Sequence, residues 1–259
     1  MSDVLVTREG PIATLTLDRP DRRNALDPVL LGALAAAVDD VSREDEVRVV
    51  VLTGAGSSFS AGADLEWMRA SVELSHERNR EDTTTMAAAF ETVDRCPKAV
   101  IARVNGPAIG GGAGLVACAD VAVAVEGARF GFSEARLGLL PAVISPYVLR
   151  AIGPGRAREL FTSGRPFEAD EAAAYGLVHH VVAADALDAW VEMMVHNFLA
   201  CAPEAIAANK RLVRDATASL ALPDLAERIA EARASAEGQE GIAAFLEKRL
   251  PRWLSSADS

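Results

Sequence analysis

Basic residues are scarce in this sequence. Its 259 residues include 26 lysines and arginines against 37 aspartates and glutamates, which gives a formal net charge of −11. Nucleic acids and anionic membrane surfaces attract proteins through basic patches, so this balance argues against either as the main partner. A polyanionic ligand would need basic residues gathered at its own binding site.

Cysteines and long apolar runs are also few. Cys96, Cys118 and Cys201 are far apart and have no CxxC spacing, which argues against a disulfide framework and a zinc site. No apolar run reaches the length of a membrane span, and the N-terminus lacks the basic segment followed by an apolar one that marks a secretory signal. We therefore expect a soluble cytoplasmic protein without a bound metal.

Apolar residues, in contrast, make up 50% of the chain, enough for one large core. Their spacing predicts a β-hairpin over residues 4–17, a helix with Asp27 as its N-cap and Pro28 in its first turn, and a layered α/β fold of alternating strands and helices. Further strands are predicted at residues 47–52, 99–104, 121–125 and 177–182, and further helices at residues 81–96 and 110–119. Helical patterns dominate after Pro141, and residues 203–251 are predicted to be almost entirely helical.

Three segments place small residues or a carboxylate next to predicted strands. Residues 58–65 (SFSAGADL) form a small-residue turn after a strand, and residues 104–114 hold a glycine cluster that opens a helix. Backbone N–H groups at such turns and helix N-termini can bind an anion or a developing oxyanion. In the third segment, residues 128–134, an apolar run is followed by Glu134. Taken singly, each has an ordinary structural explanation: a connecting loop, tight helix packing and a solvated carboxylate.

In combination, the motifs SxFSAGADL, NGPAIGGGxGL and FGFSEARLGLLPAV resemble the signature of the enoyl-CoA hydratase/isomerase family, also called the crotonase family. The resemblance implies a spiral of ββα units over residues 1–200 and a C-terminal helical trimerisation region over residues 201–259. It further implies trimers that often pair into hexamers. The substrate would be a coenzyme A thioester, with no separate cofactor.

The resemblance also assigns roles to individual residues. The backbone N–H groups of Ala63 and Gly111 would bind the thioester oxygen, and Glu134 would be the acid/base. Residues expected to contact the substrate are Arg23, Ala25, Ala61, Asp64, Leu65, Gly110 and Lys248. Arg22 is a second candidate beside Arg23 for the nucleotide part, and Lys248 belongs to a C-terminal helix that would reach a coenzyme bound by a neighbouring subunit.

One position departs from the family pattern. Many hydratases of the family carry a second glutamate two residues after the glycine triplet, where this sequence has Gly114. A single carboxylate can deliver water and its proton in a syn addition, which is hydration. It can also move a proton between two substrate carbons, which is Δ3-Δ2 isomerisation. Loss of the second carboxylate is compatible, too, with a non-catalytic acyl-CoA-binding subunit.

The wider sequence around Gly114 and Glu134 is similar to that of bacterial 3-methylglutaconyl-CoA hydratases and related enzymes. We therefore favour hydration of a short 2-enoyl-CoA with a branched or carboxylated acyl group, such as 3-methylglutaconyl-CoA. Arg103 could bind a substrate carboxylate, although an arginine at a strand end more often pairs with a structural acid. The four histidines show no metal-binding spacing and are predicted to be structural.

Overall fold

Strands and helices alternate along most of the chain, as the apolar pattern predicts. The structure, a computed structural model, describes residues 3–71, 73–217 and 235–255. The strands are β1 (Val4–Glu9), β2 (Ile12–Leu17), β3 (Val49–Gly54), β4 (Ala99–Val104), β5 (Ala108–Ile109), β6 (Val121–Val125), β7 (Arg129–Gly131), β8 (Pro166–Glu168) and β9 (His180–Val182). The α-helices are α1 (Pro28–Arg43), α2 (Leu65–Ser71), α3 (His76–Arg95), α4 (Gly111–Cys118), α5 (Ser145–Ser163), α6 (Ala169–Tyr175), α7 (Leu187–Leu199), α8 (Pro203–Thr217), α9 (Ala236–Glu247) and α10 (Arg252–Ser255). Short 3-10 helices lie at Pro20–Arg22, Glu134–Leu137 and Ala184–Ala186.

The main sheet has the strand order β1-β2-β3-β4-β6-β9. β1 and β2 pair antiparallel as the predicted hairpin, and the other neighbours pair in parallel. Strands buried on both faces need apolar side chains throughout, which explains the VVVLTG sequence of β3, where every residue is buried. A second sheet has the order β5-β7-β8. Its parallel pair β5–β7 brings the glycine-rich segment next to the segment that ends in Glu134.

Helices cover both faces of the main sheet. In β4, Val100 and Ala102 belong to the larger apolar core, which also contains residues of α1, α3 and α4. Ile101 belongs to a smaller core that it shares with Leu187 and Val191 of α7. Successive side chains of a strand point to opposite faces, so the α4 face and the α7 face of the sheet are distinct.

Two elements begin three or more residues away from their predicted starts. The helix predicted at residues 81–96 begins earlier, at His76, because the Ser75 hydroxyl caps it by accepting the Arg78 N–H at 3.2 Å. The first turns of this helix are polar and therefore show no apolar periodicity. The strand predicted at residues 177–182 begins only at His180, because the N–H groups of Leu177 and Val178 donate to a carbonyl of α6.

The C-terminal helices α8, α9 and α10 agree with the predicted helical region where the structure describes it. Residues 218–234 and 256–259 lie outside the described residues. Lys210 of α8 attaches this region to the core through Asp120 at 2.7 Å, and the Trp253 indole N–H donates to the Ala200 carbonyl at 3.2 Å. The division at residue 200 and the role of these helices in trimerisation stay predictions. None of the helices within the described ranges is long and apolar enough to cross a membrane.

Candidate active site

Backbone hydrogen bonds hold the loop after β3 against the loop that precedes α1. The Leu26 N–H donates to the Gly62 carbonyl at 2.7 Å, and the Asp64 N–H donates to the Leu26 carbonyl at 2.9 Å. The N–H of Ala63, between these two bonds, has no partner within the described residues. Ala63 is exposed on the wall of a cavity. Its N–H is therefore a fixed donor that is available to a ligand.

The glycine cluster supplies a second available donor. Gly110 is the N-cap of α4 with φ 51° and ψ −117°, a conformation that residues with a side chain rarely adopt. Gly111 is the first residue of α4, and its N–H makes no hydrogen bond in the part of the chain that the structure describes. The first N–H groups of a helix lack intrahelical acceptors, and the helix dipole favours negative charge beside them.

The residues that precede the two donors, Gly62 and Gly110, lie close together. A Cβ atom added to Gly62 would lie 3.0 Å from the Ile109 carbonyl oxygen and 3.9 Å from the Gly110 nitrogen. Ser60 links the same loops, because its N–H donates to the Pro107 carbonyl at 3.1 Å and its carbonyl accepts the Ile109 N–H at 3.0 Å. The fold thus brings sequence positions 63 and 111 to one place.

Glu134 lies against the glycine cluster. A Cβ atom added to Gly110 would lie 3.1 Å from the Oε1 atom of Glu134. The Gly110 N–H donates to the Gly131 carbonyl at 2.8 Å, which fixes the two segments to each other. The second carboxylate oxygen, Oε2, is buried and has no hydrogen-bond partner among the described residues. The candidate acid/base is therefore adjacent to the residue that precedes the second donor.

The surroundings of Glu134 change its proton affinity. Burial raises the pKa of Glu134 above the ordinary value of a glutamate, and a hydrogen bond from its own backbone N–H offsets only part of this effect. Leaving a buried polar atom without a partner costs about 1–3 kcal/mol, and more when the atom is charged. Such uncompensated groups are typical of functional sites. Glu134 can therefore hold a proton at a higher pH than an exposed glutamate can.

A cavity of about 510 Å³ opens beside Ala63. Six of the predicted site residues line it: Arg23, Ala25, Ala61, Ala63, Asp64 and Leu65. Gly110, Gly111 and Glu134 are not among its lining residues, but they lie close to it, since an added Cβ atom on Gly62, between the lining residues Ala61 and Ala63, would be 3.9 Å from the Gly110 nitrogen. The volume lies in the range of about 300–1,000 Å³ that is usual for small-molecule sites.

The Asp64 carboxylate is used by the protein itself. Its side chain is 4% exposed, and it accepts hydrogen bonds from Arg19 at 3.1 Å and from Arg22 at 3.2 Å. It also accepts the backbone N–H groups of Glu66 at 2.8 Å and Trp67 at 3.2 Å. Burial acts to raise the pKa of Asp64, but these hydrogen bonds outweigh it and hold that pKa below its ordinary value. The carboxylate anchors the start of α2, and the predicted contact of Asp64 with substrate stays a prediction.

The space that a second glutamate would need is already filled. A Cβ atom added to Gly114 would lie 2.3 Å from Ile144 Cγ2, 2.7 Å from Ile144 Cβ and 3.2 Å from Phe90 Cε1. Gly114, Ile144 and Phe90 are all buried. Because Ile144 directly precedes α5, a glutamate at position 114 would displace the start of that helix. A glutamate at position 114 would therefore require Ile144 to move.

Two candidate cations lie away from these donors. Arg103 donates to Asp188 at 2.7 Å, and it points from β4 toward the α7 face of the sheet, because its neighbours Ala102 and Val104 belong to the core on the α4 face. Its structural role is therefore the correct interpretation. Lys248 is exposed just after α9 and does not line the cavity beside Ala63 in this chain.

The fold and its motifs have counterparts among known proteins. Residues 7–256 match the sequence profile of the enoyl-CoA hydratase/isomerase family. The chain belongs to this family. The predicted family and the crotonase-like fold are thereby confirmed.

Members of the enoyl-CoA hydratase/isomerase family resemble the chain along most of its length. A crystal structure of an enoyl-CoA hydratase from Shewanella pealeana has a TM-score of 0.93 and 38% sequence identity, and the match covers 96% of this chain and 95% of that one. The crotonyl-CoA hydratase of Syntrophomonas wolfei is 33% identical over 260 residues, which is 98% of each chain. The 2,3-dehydroadipyl-CoA hydratase of Escherichia coli is 33% identical over 255 residues, or 97% of this chain and 98% of its own.

Asn24 and Arg19 support the site, and the sequence analysis assigned a role to neither of them. Asn24 is fully buried with φ 54°, and its Nδ2 donates to the carbonyls of Ala55 at 2.9 Å and Ser58 at 2.8 Å. Its Oδ1 accepts the Arg19 N–H at 3.0 Å. Asparagine tolerates the left-handed conformation better than most residues. An asparagine within this charged segment was therefore the available sequence signal for a left-handed backbone position. Together with the ion pair of Arg19 and Asp64, these bonds fix the cavity wall.

Proposed function

We propose that this protein is an enoyl-CoA hydratase, which adds water across the double bond of a 2-enoyl-CoA thioester. The observation that carries the proposal is the Glu134 carboxylate beside Gly110, the residue that precedes the available N–H of Gly111; the Oε2 atom of this carboxylate is buried and has no partner among the described residues. The names of the relatives support the same chemistry. No separate cofactor is part of the proposal, since coenzyme A belongs to the substrate.

In the proposed reaction, the N–H groups of Ala63 and Gly111 bind the thioester oxygen. Addition of water to the β-carbon places negative charge on this oxygen as an enolate forms. Two donors fixed before the reaction stabilise that charge more than they stabilise the neutral thioester, and this difference lowers the barrier. Gly111 adds the positive end of the α4 dipole to the effect.

Glu134 acts alone as acid and base in this proposal. Its carboxylate removes a proton from water as the oxygen attacks the β-carbon, and the resulting carboxylic acid returns a proton to the α-carbon on the same face. The raised pKa of Glu134 suits both steps, because a group whose pKa is nearer to the working pH can both accept and donate a proton. Ile144 fills the place of a second carboxylate, which leaves this single-glutamate route.

The preferred substrate in this proposal is a short acyl chain that is branched or carboxylated, such as 3-methylglutaconyl-CoA. A methyl group at the β-carbon stabilises positive charge there, so water needs less activation by a second base. One relative is named for crotonyl-CoA and another for the carboxylated 2,3-dehydroadipyl-CoA, so the family includes short and carboxylated substrates. Arg103 is not the group that would bind a substrate carboxylate, because it pairs with Asp188 on the α7 face.

We also propose that the protein assembles into trimers or hexamers and that it is located in the cytoplasm. Leu137, Leu139 and Leu140 follow Glu134 closely and are 59%, 54% and 72% exposed. A run of exposed leucines is unfavourable in water and favours contact with another subunit. The exposed Lys248 would then be available to a coenzyme held by that neighbour.

Δ3-Δ2 isomerisation is the second candidate, and the observation that favours it is the single carboxylate. Without a second base, Glu134 could remove a proton from C2 and return it to C4. A non-catalytic acyl-CoA-binding subunit is the third candidate. The retained Glu134 and both available N–H donors favour catalysis over this last alternative.

The substitution Glu134→Gln tests the assignment. The amide keeps the shape of the side chain but cannot exchange a proton, so kcat with crotonyl-CoA should fall by about 10²–10⁴-fold while binding of the acyl-CoA changes little. Glu126→Gln, on an exposed turn, is the matched control and should retain full activity. Unchanged turnover in Glu134→Gln would remove Glu134 from the mechanism.

A further inference from the structure

Glycines occupy one face of the first turns of α4. The Gly114 N–H donates to the Gly110 carbonyl at 3.0 Å, so these two residues lie one turn apart. Gly111 is on the same face, because helix positions three or four residues apart are neighbours. Since glycine has no side chain, the groups that border this face come from other elements of the fold. The acyl part of a thioester bound at the Gly111 N–H would lie close to these groups.

The groups along this face change from polar to apolar within one turn. At its start, a Cβ atom added to Gly110 would lie 3.1 Å from the Oε1 atom of Glu134. One turn further, the three atoms of the described residues nearest to a Cβ atom added to Gly114 are all carbon, two from Ile144 and one from Phe90. Both side chains are buried in the larger apolar core. An alkyl group therefore lies where many hydratases of the family have a second carboxylate.

The ring of Phe90 connects Ile144 to the proposed oxyanion donor. A Cβ atom added to Gly111 would lie 3.4 Å from Phe90 Cζ, and one added to Gly114 would lie 3.2 Å from Cε1 of the same ring. Tyr147 stacks on this ring, with 6.4 Å between the ring centroids, and holds it in place. Ile144 is thus about one helical turn, or about 5.4 Å, from the residue that would bind the thioester oxygen. The β-carbon of the substrate is two bonds from the carbonyl carbon, so its substituents are within reach of Ile144.

An alkyl group at this place selects among acyl groups. Carbon atoms offer no hydrogen bond to a water molecule, whereas an alkyl substituent of the substrate gains free energy when it leaves water and packs against them. We propose that Ile144 is a specificity-determining residue that packs against a second alkyl substituent on the β-carbon, so that branched acyl groups bind more tightly than unbranched ones. The proposal rests on the proposed function, which supplies the acyl thioester. It adds a packing contact to the electronic effect of a β-methyl group.

The test uses two pairs of thioesters that differ by one methyl group on the β-carbon. Crotonyl-CoA and 3-methylcrotonyl-CoA are the substrates, and kcat/KM is measured for each. Butyryl-CoA and 3-methylbutyryl-CoA are saturated and cannot be hydrated, so isothermal titration gives their Kd without turnover. The branched-to-unbranched preference within each pair is compared among the wild type, Ile144→Ala and Ile144→Val. Intrinsic reactivity is the same for every variant and cancels from this comparison. Ile152→Ala, at a buried position further along α5, controls for loss of stability.

The wild type should bind 3-methylbutyryl-CoA about tenfold more tightly than butyryl-CoA, the lower end of the range for one carbon in an apolar pocket. Ile144→Ala should reduce the branched-to-unbranched preference about tenfold in both pairs, because the contact with the added methyl group is lost. Ile144→Val removes only the Cδ1 atom and should cause a smaller reduction in the same direction. It also decides the test if Ile144→Ala does not fold. Ile152→Ala should keep the wild-type preference in both pairs.

Equal changes for the two members of a pair would overturn the proposal, as would a stronger preference for the branched member in Ile144→Ala. The titration separates this proposal from the proposed function. If the wild type hydrates neither enoyl-CoA but Ile144→Ala still loses the preference for 3-methylbutyryl-CoA, the alkyl contact stands and the hydratase assignment falls. If the wild type hydrates crotonyl-CoA and Ile144→Ala keeps the wild-type preference in both pairs, the hydratase assignment stands and the alkyl contact falls.

Discussion

The substitution Gly114→Ala measures how tightly the space beside the glycine cluster is filled. The added methyl group would lie 2.3 Å from Ile144 Cγ2 and 3.2 Å from Phe90 Cε1, both well inside van der Waals contact. Overpacking of a core costs about 1–3 kcal/mol. Exchange of glycine for alanine within a helix contributes about 1 kcal/mol in the opposite direction. We therefore expect a net loss of up to about 2 kcal/mol in the free energy of unfolding.

The matched control is Gly32→Ala in α1. Gly32 is exposed, and nothing lies within 4 Å of an added Cβ atom. Only the helix-propensity effect remains there, so this variant should be stabilised by up to about 1 kcal/mol. Thermal unfolding at one fixed protein concentration is the assay, and 1 kcal/mol corresponds to about 2–4 °C in Tm for a chain of this size. The same chemical change should thus move Tm in opposite directions at the two sites.

A double variant identifies the atoms that are responsible. Ile144→Ala removes the Cγ2 atom but keeps Cβ, so part of the clash with an alanine at position 114 is relieved. Gly114→Ala should therefore cost less stability in the Ile144→Ala background than in the wild type, and the difference is the coupling between the two positions. Additive effects, or stabilisation by Gly114→Ala in the wild type, would refute the conclusion that Ile144 fills this space.

Three further predictions concern titratable groups. Hydrogen bonds hold the pKa of Asp64 below its ordinary value, so Asp64 stabilises the fold at neutral pH and loses this contribution as the pH falls below about 4. Asp64→Asn should therefore unfold with a weaker dependence on acidic pH, as followed by circular dichroism; an identical dependence would contradict this. Burial, followed by the charge of His180, lowers the pKa of His179, whose Nδ1 accepts the Ala122 N–H at 3.0 Å. Stability should thus fall as the pH drops below about 6.5, and His179→Asn should lessen that decline in urea titrations; an unchanged decline would show that another group is responsible. Burial raises the pKa of Glu134, so the acidic limb of the kcat/KM profile should titrate above about 4.3, and a limb at or below that pH would argue against Glu134 as the base.

Most of the fold and the proximity of the three motifs could be predicted from the sequence, because motifs carry local backbone geometry. The glycines of residues 110–112 permit the N-cap conformation that leaves the Gly111 N–H available. The β5–β7 pairing then places Glu134 beside Gly110, and the order of the three motifs reflects that pairing.

Features that depend on side chains distant in sequence could not be predicted. Asp64 matches a substrate-binding motif, yet its carboxylate is neutralised by Arg19, 45 residues away. The sequence shows a glycine instead of a glutamate at position 114. That Ile144 occupies the space beside Gly114 depends on how α5 packs, which the sequence does not reveal.

Incorporation of ¹⁸O is the most direct test of the central claim that Glu134 and two backbone donors hydrate an enoyl-CoA. Crotonyl-CoA, 3-methylglutaconyl-CoA and a 3-enoyl-CoA are incubated separately with the protein in H₂¹⁸O, and the products are analysed by mass spectrometry. The account predicts the mass gain of one water with one ¹⁸O atom from at least one 2-enoyl-CoA, and none with Glu134→Gln. Relocation of the double bond in the 3-enoyl-CoA, without uptake of water by any substrate, would contradict it.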